Sequence, residues 1–298
     1  MRKKFLFSTL FVGLVVFLGT ALQAHAAVKV RVQPSGPDIP SAYVLSGETR
    51  TYFGNVEGAV LYDYRWEFSN GGDTAWANVG DPRYISIDHV FGTAGLHWAR
   101  LSVRDRENTS DVDSATIEVQ VLAVDTQNRQ KNSAVDKGLR RLYLLEQTGP
   151  YGSYWGGGNQ VGQTSMALIA LENHGHNLEA SDDDIYKNST EEGLRWLFNN
   201  AYEVSISVQP CIGDPEGVVG DPLYDDGDMD NDGAGIMIAE WNEGYEVPLA
   251  MLAIINSCEK ATAQTLTASS TSSAFVDGMT YWDIIVDAKD FLAYAQTD

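Results

Sequence analysis

Cysteine is almost absent: the 298 residues contain two, Cys211 and Cys258. Neither lies near the N-terminus, which excludes a lipid anchor on a cysteine following an export signal. Basic residues are also scarce, with 20 Lys and Arg against 41 Asp and Glu and a formal charge of −21. Such a surface repels nucleic acid and anionic lipid, so polyanion partners are not expected. It suits cations such as Ca²⁺, and it also keeps an exported protein in solution. Beyond the N-terminus no apolar run approaches the roughly 20 residues that a bilayer-spanning helix requires, so no membrane span is expected in the mature chain.

What is present begins with Arg2, Lys3 and Lys4, an apolar stretch from Phe5 to about Leu18, and the small residues of Ala24-His25-Ala26. That order is the order of a cleavable secretory signal, and its apolar core is short for an uncleaved anchor. Residues 1–26 are therefore expected to be removed, and the mature chain to be secreted or held in the cell envelope. In that compartment Cys211 and Cys258 are expected to pair as a disulfide.

Residues 27–124 follow a period of two. Val28, Val30 and Val32 alternate with polar residues, as do Ala115, Ile117, Val119 and Val121. Turn-rich stretches such as Ser69-Asn70-Gly71-Gly72 and Gly92-Thr93-Ala94-Gly95 separate the runs, the pattern of a small β-sandwich. Trp66-x-Phe68 followed by a glycine pair, and then His89-Val90-Phe91 through Gly95 into Leu96–Asp105, resembles the PKD family of immunoglobulin-like modules. The resemblance implies that His97, Ala99, Leu101 and Val103 point into the core. The chain departs from the pattern at Ala94, where proline is common, and at His97, a polar residue in an inward place.

Polar residues 125–132 read as a linker, after which the period changes. Val135, Leu139, Leu142 and Leu145 recur at helical spacing, and Gly162–Leu171 is apolar nearly all round, as in an inner helix. Ser189-Thr190-Glu191-Glu192 reads as a capping box opening a third helix. A fourth helix is expected from Val247 to Ile255, and a fifth from Thr280-Tyr281-Trp282-Asp283 to Gln296. Lys137–Leu142 echoes Glu192–Leu197, and Met166–Leu171 echoes Leu249–Ile254, so residues 133–298 are expected to form an all-α domain of repeated helical hairpins. The helix ending at Leu145, followed by Gln147, Gly152 and Trp155, resembles the QW repeat of squalene-hopene cyclases and related prenyltransferase-like proteins. Gly152 and Trp155 stand one residue further apart than usual. In that family Gln and Trp tie helix ends together in an α/α toroid. The family's Asp-x-Asp-Asp acid and its relatives' zinc-binding setting are missing here. Two complete hairpins and part of a third would leave such a ring open, so either the chain belongs to a longer protein, the favoured expectation, or a partner covers the edge.

The candidate sites are few. Asp228-x-Asp230-x-Asp232-Gly233 alternates carboxylates as a Ca²⁺ loop does, although Glu240 falls one place late for the closing ligand; an acidic solvated loop explains the same residues. Tyr151, Tyr154 and Trp155 flank a Gly-rich loop and could present rings to a sugar or an apolar ligand, or pack on helices. His174 and His176 read as helix-end residues rather than metal ligands. The expected function is a non-enzymatic exported protein for binding or surface architecture, with a protein or glycan ligand. The alternative is a secreted enzyme on an α/α toroid, either a terpenoid cyclase relative or a polysaccharide-degrading enzyme.

Overall fold

Side chains that alternate between core and solvent organise the first third of the chain into two facing sheets. The structure is a computed structural model, and it describes residues 28–33, 42–58, 61–78, 81, 83, 85–206, 233–261, 264–266 and 275–295. The segment read as a signal peptide, the Asp228, Asp230 and Asp232 loop, and Cys211 with its expected disulfide all lie outside these residues.

One sheet has the order β1 (Lys29–Gln33), β3 (Thr49–Glu57), β6 (Ile85–Val90). The other has the order β2 (Ala42–Leu45), β8 (Val112–Leu122), β7 (Gly95–Asp105), β4 (Tyr62–Phe68), β5 (Ala77–Asn78). Pairing is antiparallel except between β2 and β8, which run parallel from Ala42↔Val119 to Leu45↔Leu122. On β7 the period-two pattern places Ala99, Leu101 and Val103 in the core. His97 stops half-buried at the rim, its ring against Phe91 and bonded to Ser69 and the Thr93 carbonyl. Rings fill the space between the sheets: Tyr52, Trp66, Phe68 and Phe91 meet at centroid distances of 6.1–6.4 Å. Mutual edge and face contacts of this kind add to the burial of large apolar area.

The polar stretch expected as a linker is instead the first part of a helix, α1 (Gln127–Leu145). Thr126 caps it by accepting the Arg129 N–H, and the Arg129 guanidinium bonds both Asp125 and Glu48 of the sandwich. Its polarity reflects capping and ion pairing at a fixed joint, not chain freedom. The helices that follow are α2 (Gln160–Glu172), α3 (Lys187–Asn199), α4 (Glu243–Asn256) and α5 (Tyr281–Ala295). Two short antiparallel hairpins interrupt them, β9 (Gln147–Gly149) with β10 (Gly152–Tyr154) and β11 (Ala201–Ser205) with β12 (Ala234–Ile238). The second half is thus helical with two hairpins, where an all-α domain was expected. Strands of three and five residues beside long helices leave too short an alternation to register as a pattern.

Helix α2 packs between α3 and α4, while α5 lies on α4 and β12. Leu168, Leu171, Leu194, Leu197, Ala250 and Ile254 form the centre of this core. The expected capping box at Ser189 is not one. Helix α3 starts two residues earlier, and the buried Ser189 hydroxyl donates to Glu146 at 2.7 Å. At α5 the box is real, since Thr280 and Asp283 exchange side-chain and backbone bonds at 2.7 and 3.1 Å. Gly152 fixes the β9–β10 hairpin against α3. Its φ is +131°, and a Cβ there would press on the Glu192 carbonyl and come 3.0 Å from the Trp196 nitrogen. Gly152→Ala is therefore expected to cost about 2 kcal/mol or more, read as a lowered urea midpoint with an unchanged slope.

The two halves are clamped by arginines. Arg31 donates to the Asp182 carbonyl at 2.7 Å, and Arg50 bonds Asp136 at 2.5 Å. Arg83 bonds Glu146 and stacks 4.5 Å over Tyr143. Asn55 donates to the Tyr143 hydroxyl at 3.2 Å. Arg140 crosses back to the sandwich, donating to the Arg83 carbonyl at 2.6 Å with its guanidinium 4.3 Å over the Phe53 ring. Planar guanidinium groups that bond in the plane and stack on rings suit such a joint.

Candidate functional site

The Gly-rich loop at 156–158 is the feature on which the candidate surfaces converge, and neighbouring side chains hold it firmly. Gln147 donates to the Gly156 carbonyl at 2.8 Å, and Gln163 to the Gly158 carbonyl at 3.0 Å. Asn159, in the left-handed region at φ 57°, caps α2 through Gly162. The three ring residues expected near the loop divide. Trp155 is buried, with its indole N–H donating to the Leu142 carbonyl near the end of α1 at 2.7 Å and its backbone N–H to Thr164. Tyr154 stacks on Trp196 at 5.5 Å, and Tyr151 lies exposed on the β9–β10 turn. Packing accounts for two of the three.

The loop separates two surfaces. On one side an open groove of about 570 Å³ runs along α1 and α2, lined by Leu142, Leu145, Trp155, Met166, Ala167 and Ala170. Met166 is 54% exposed, and the Tyr245 hydroxyl lies 3.5 Å from its sulfur. Leu252 and Ile255 of α4 also face solvent.

On the other side is a depression of about 590 Å³ between the loop, the β11–β12 hairpin and the turn before α4. Trp241, 80% exposed, and Tyr202, 52% exposed, both line it. The turn carrying Trp241 is built around Glu246, which is fully buried. Its carboxylate accepts the N–H groups of Glu240, Trp241 and Asn242 at 2.6, 3.0 and 3.3 Å. Glu240 in turn accepts the Gln160 N–H at 2.8 Å. Sequence reasoning passed over Trp241; its signal was a lone tryptophan in the polar run Glu240–Gly244.

Glu172 and His176 are among the buried titratable groups that lie elsewhere. Glu172 ends α2 with neither oxygen hydrogen-bonded among the described residues, and burial pushes its pKa up to about 9. His176, expected to be a helix-end residue, is buried with its Nδ1 2.6 Å from Asp184 and its ring against Tyr186. Cys258 is half-buried, and burial raises its thiol pKa, so it is not poised as a nucleophile. No group of three His, Cys, Asp or Glu side chains arranged for a metal occurs among the described residues, and no described helix is long and apolar enough to cross a membrane.

No family model and no curated protein matches this chain. Among solved structures it is similar to the CARDB domain of a Pyrococcus furiosus protein in complex with di-metal ions, at 18% identity and a TM-score of 0.25, covering 33% of this chain and 90% of that one. It is similar to the PKD domain of an M14-like peptidase from a Thermoplasmatales archaeon at 16% identity and a TM-score of 0.26, covering 32% and 93%. The PKD domain of the human VPS10 domain-containing receptor SorCS2 matches at 20% identity and a TM-score of 0.25, covering 34% and 76%. About a third of the chain thus has immunoglobulin-like PKD and CARDB domains as its structural neighbours.

Proposed function

We propose that this chain is an exported, non-enzymatic binding protein in which a PKD-like sandwich is the fixed mount for a helical body that holds the ligand. The observation that carries this reading is the pinned loop at 156–158, with a ligand-sized hollow on each side and, among the described residues, no catalytic set converging on either. The helical body is read as part of an α/α toroid of the prenyltransferase-like kind. Supporting that reading, Gln147 and Trp155 tie the loop and the end of α1 together, and α2 packs between helices on two sides. Export is read from the N-terminal Arg2–Ala26 pattern.

The test combines processing with turnover. Expressed in a secreting host, the chain is expected outside the cytoplasm with its N-terminus near Ala27. Isoprenoid diphosphates and neutral oligosaccharides incubated with equimolar mature protein are expected to return with unchanged mass. Conversion of either class overturns the reading.

A further inference from the structure

We infer that the depression between Trp241 and Tyr202 is a binding site for a neutral saccharide chain; this rests on the binding-protein reading above and names the ligand class. Two largely exposed rings lining one depression are the first observation, because exposure of that much apolar surface is unfavourable unless something covers it. The second is the support beneath Trp241. A fully buried carboxylate is committed to three consecutive backbone N–H groups, so the turn holds its shape before any ligand arrives and little freedom is lost on binding.

The lining selects the chemistry. Flat ring faces take the C–H faces of a pyranose, while the Gln160 amide, the Glu240 carboxylate and the bare backbone of Gly157 and Gly158 meet its hydroxyls. Among the described residues no lysine or arginine lines the depression and Glu240 sits in its wall, so an anionic ligand is disfavoured. A purely apolar chain would leave those polar groups unpaired and fits the Met166 groove better. The site lies at the end of the β11–β12 hairpin where Tyr202 faces Met237, away from the Ser205↔Ala234 end that leads into residues 207–232.

The experiment is calorimetric titration of the mature protein with cello-, xylo-, malto- and chito-oligosaccharide hexamers, with mass spectrometry of the recovered sugar. At least one hexamer is expected to bind saturably. Trp241→Ala is expected to weaken binding by roughly tenfold or more, Trp241→Phe to retain part of it, and Leu96→Ser, at an exposed position on the sandwich, to leave it unchanged. Trp241 contributes almost nothing to the core, so its loss leaves the fold intact. Absence of binding by every hexamer, or binding indifferent to Trp241→Ala, overturns the site. A hexamer that binds through Trp241 and is cleaved supports the site and overturns the non-enzymatic reading. An isoprenoid bound unchanged in the Met166 groove with no sugar bound does the reverse.

Discussion

Glu172→Gln is expected to stabilise the folded protein by about 3 kcal/mol at pH 7. Glu172 is 6% exposed at the end of α2, and desolvation moves its pKa from 4.5 up to about 9. The folded state keeps the carboxyl protonated at neutral pH, whereas the unfolded chain releases the proton above about pH 4.5. The unfolded state therefore binds one proton fewer between those values, and stability falls as pH rises, by about 1.4 kcal/mol per unit. Below pH 4.5 both states are protonated and the penalty vanishes. Glutamine keeps the shape of the neutral acid and has no proton to lose. Urea midpoints of both proteins from pH 4 to 9 check this: the two curves should meet at the acid end and diverge steadily upward. Parallel curves would show that Glu172 ionises in the folded state as readily as in the unfolded one.

Arg140→Ala is expected to cost about 3 kcal/mol and to split one thermal transition into two. The side chain is 4% exposed and reaches from α1 into the sandwich, to the Arg83 carbonyl at 2.6 Å and the Phe53 ring at 4.3 Å. Its removal leaves that carbonyl without its charged donor, and the stacked ring loses its cover. Differential scanning calorimetry reads the result directly. Arg140→Lys should recover only part of the loss, because an ammonium cannot bond in one plane while stacking with its face. A single transition at the original temperature in the alanine variant would mean that the joint does not couple the halves.

The sandwich was legible in the sequence because period-two alternation maps directly onto its sheet faces: Val28, Val30, Val32, Ile117, Val119 and Val121 are buried where the alternation places them, and Ala99, Leu101 and Val103 where the PKD resemblance does. Helix α1 was legible by its longer period, α2 by apolarity nearly all round, α4 by its echo of α2, and α5 by its Thr280–Asp283 start. The joint was not. Arg31, Arg50, Arg83 and Arg140 lie far apart in sequence and meet only through tertiary packing, so a polar stretch that caps and clamps looked like a linker. The Ser189 hydroxyl was misread in the same way, because its partner Glu146 lies 43 residues away. At the candidate site the loop at 156–158 stood out by its glycines, but its own rings turned inward or away. The exposed pair, Trp241 and Tyr202, come from two separate elements brought together by the fold, which no local pattern announces.

The parallel pairing of β2 with β8 has a mechanical consequence. Tension applied to the chain ahead of Ala42 and beyond Leu122 pulls the two strands past one another along their length. The ladder bonds between them then bear the load together, whereas a hairpin pulled from its open end parts one bond at a time. The strand that takes this shear leads straight into α1, whose first turn Arg129 fastens to Glu48. A chain put under tension across the sandwich would resist there and hand the load to a joint already closed.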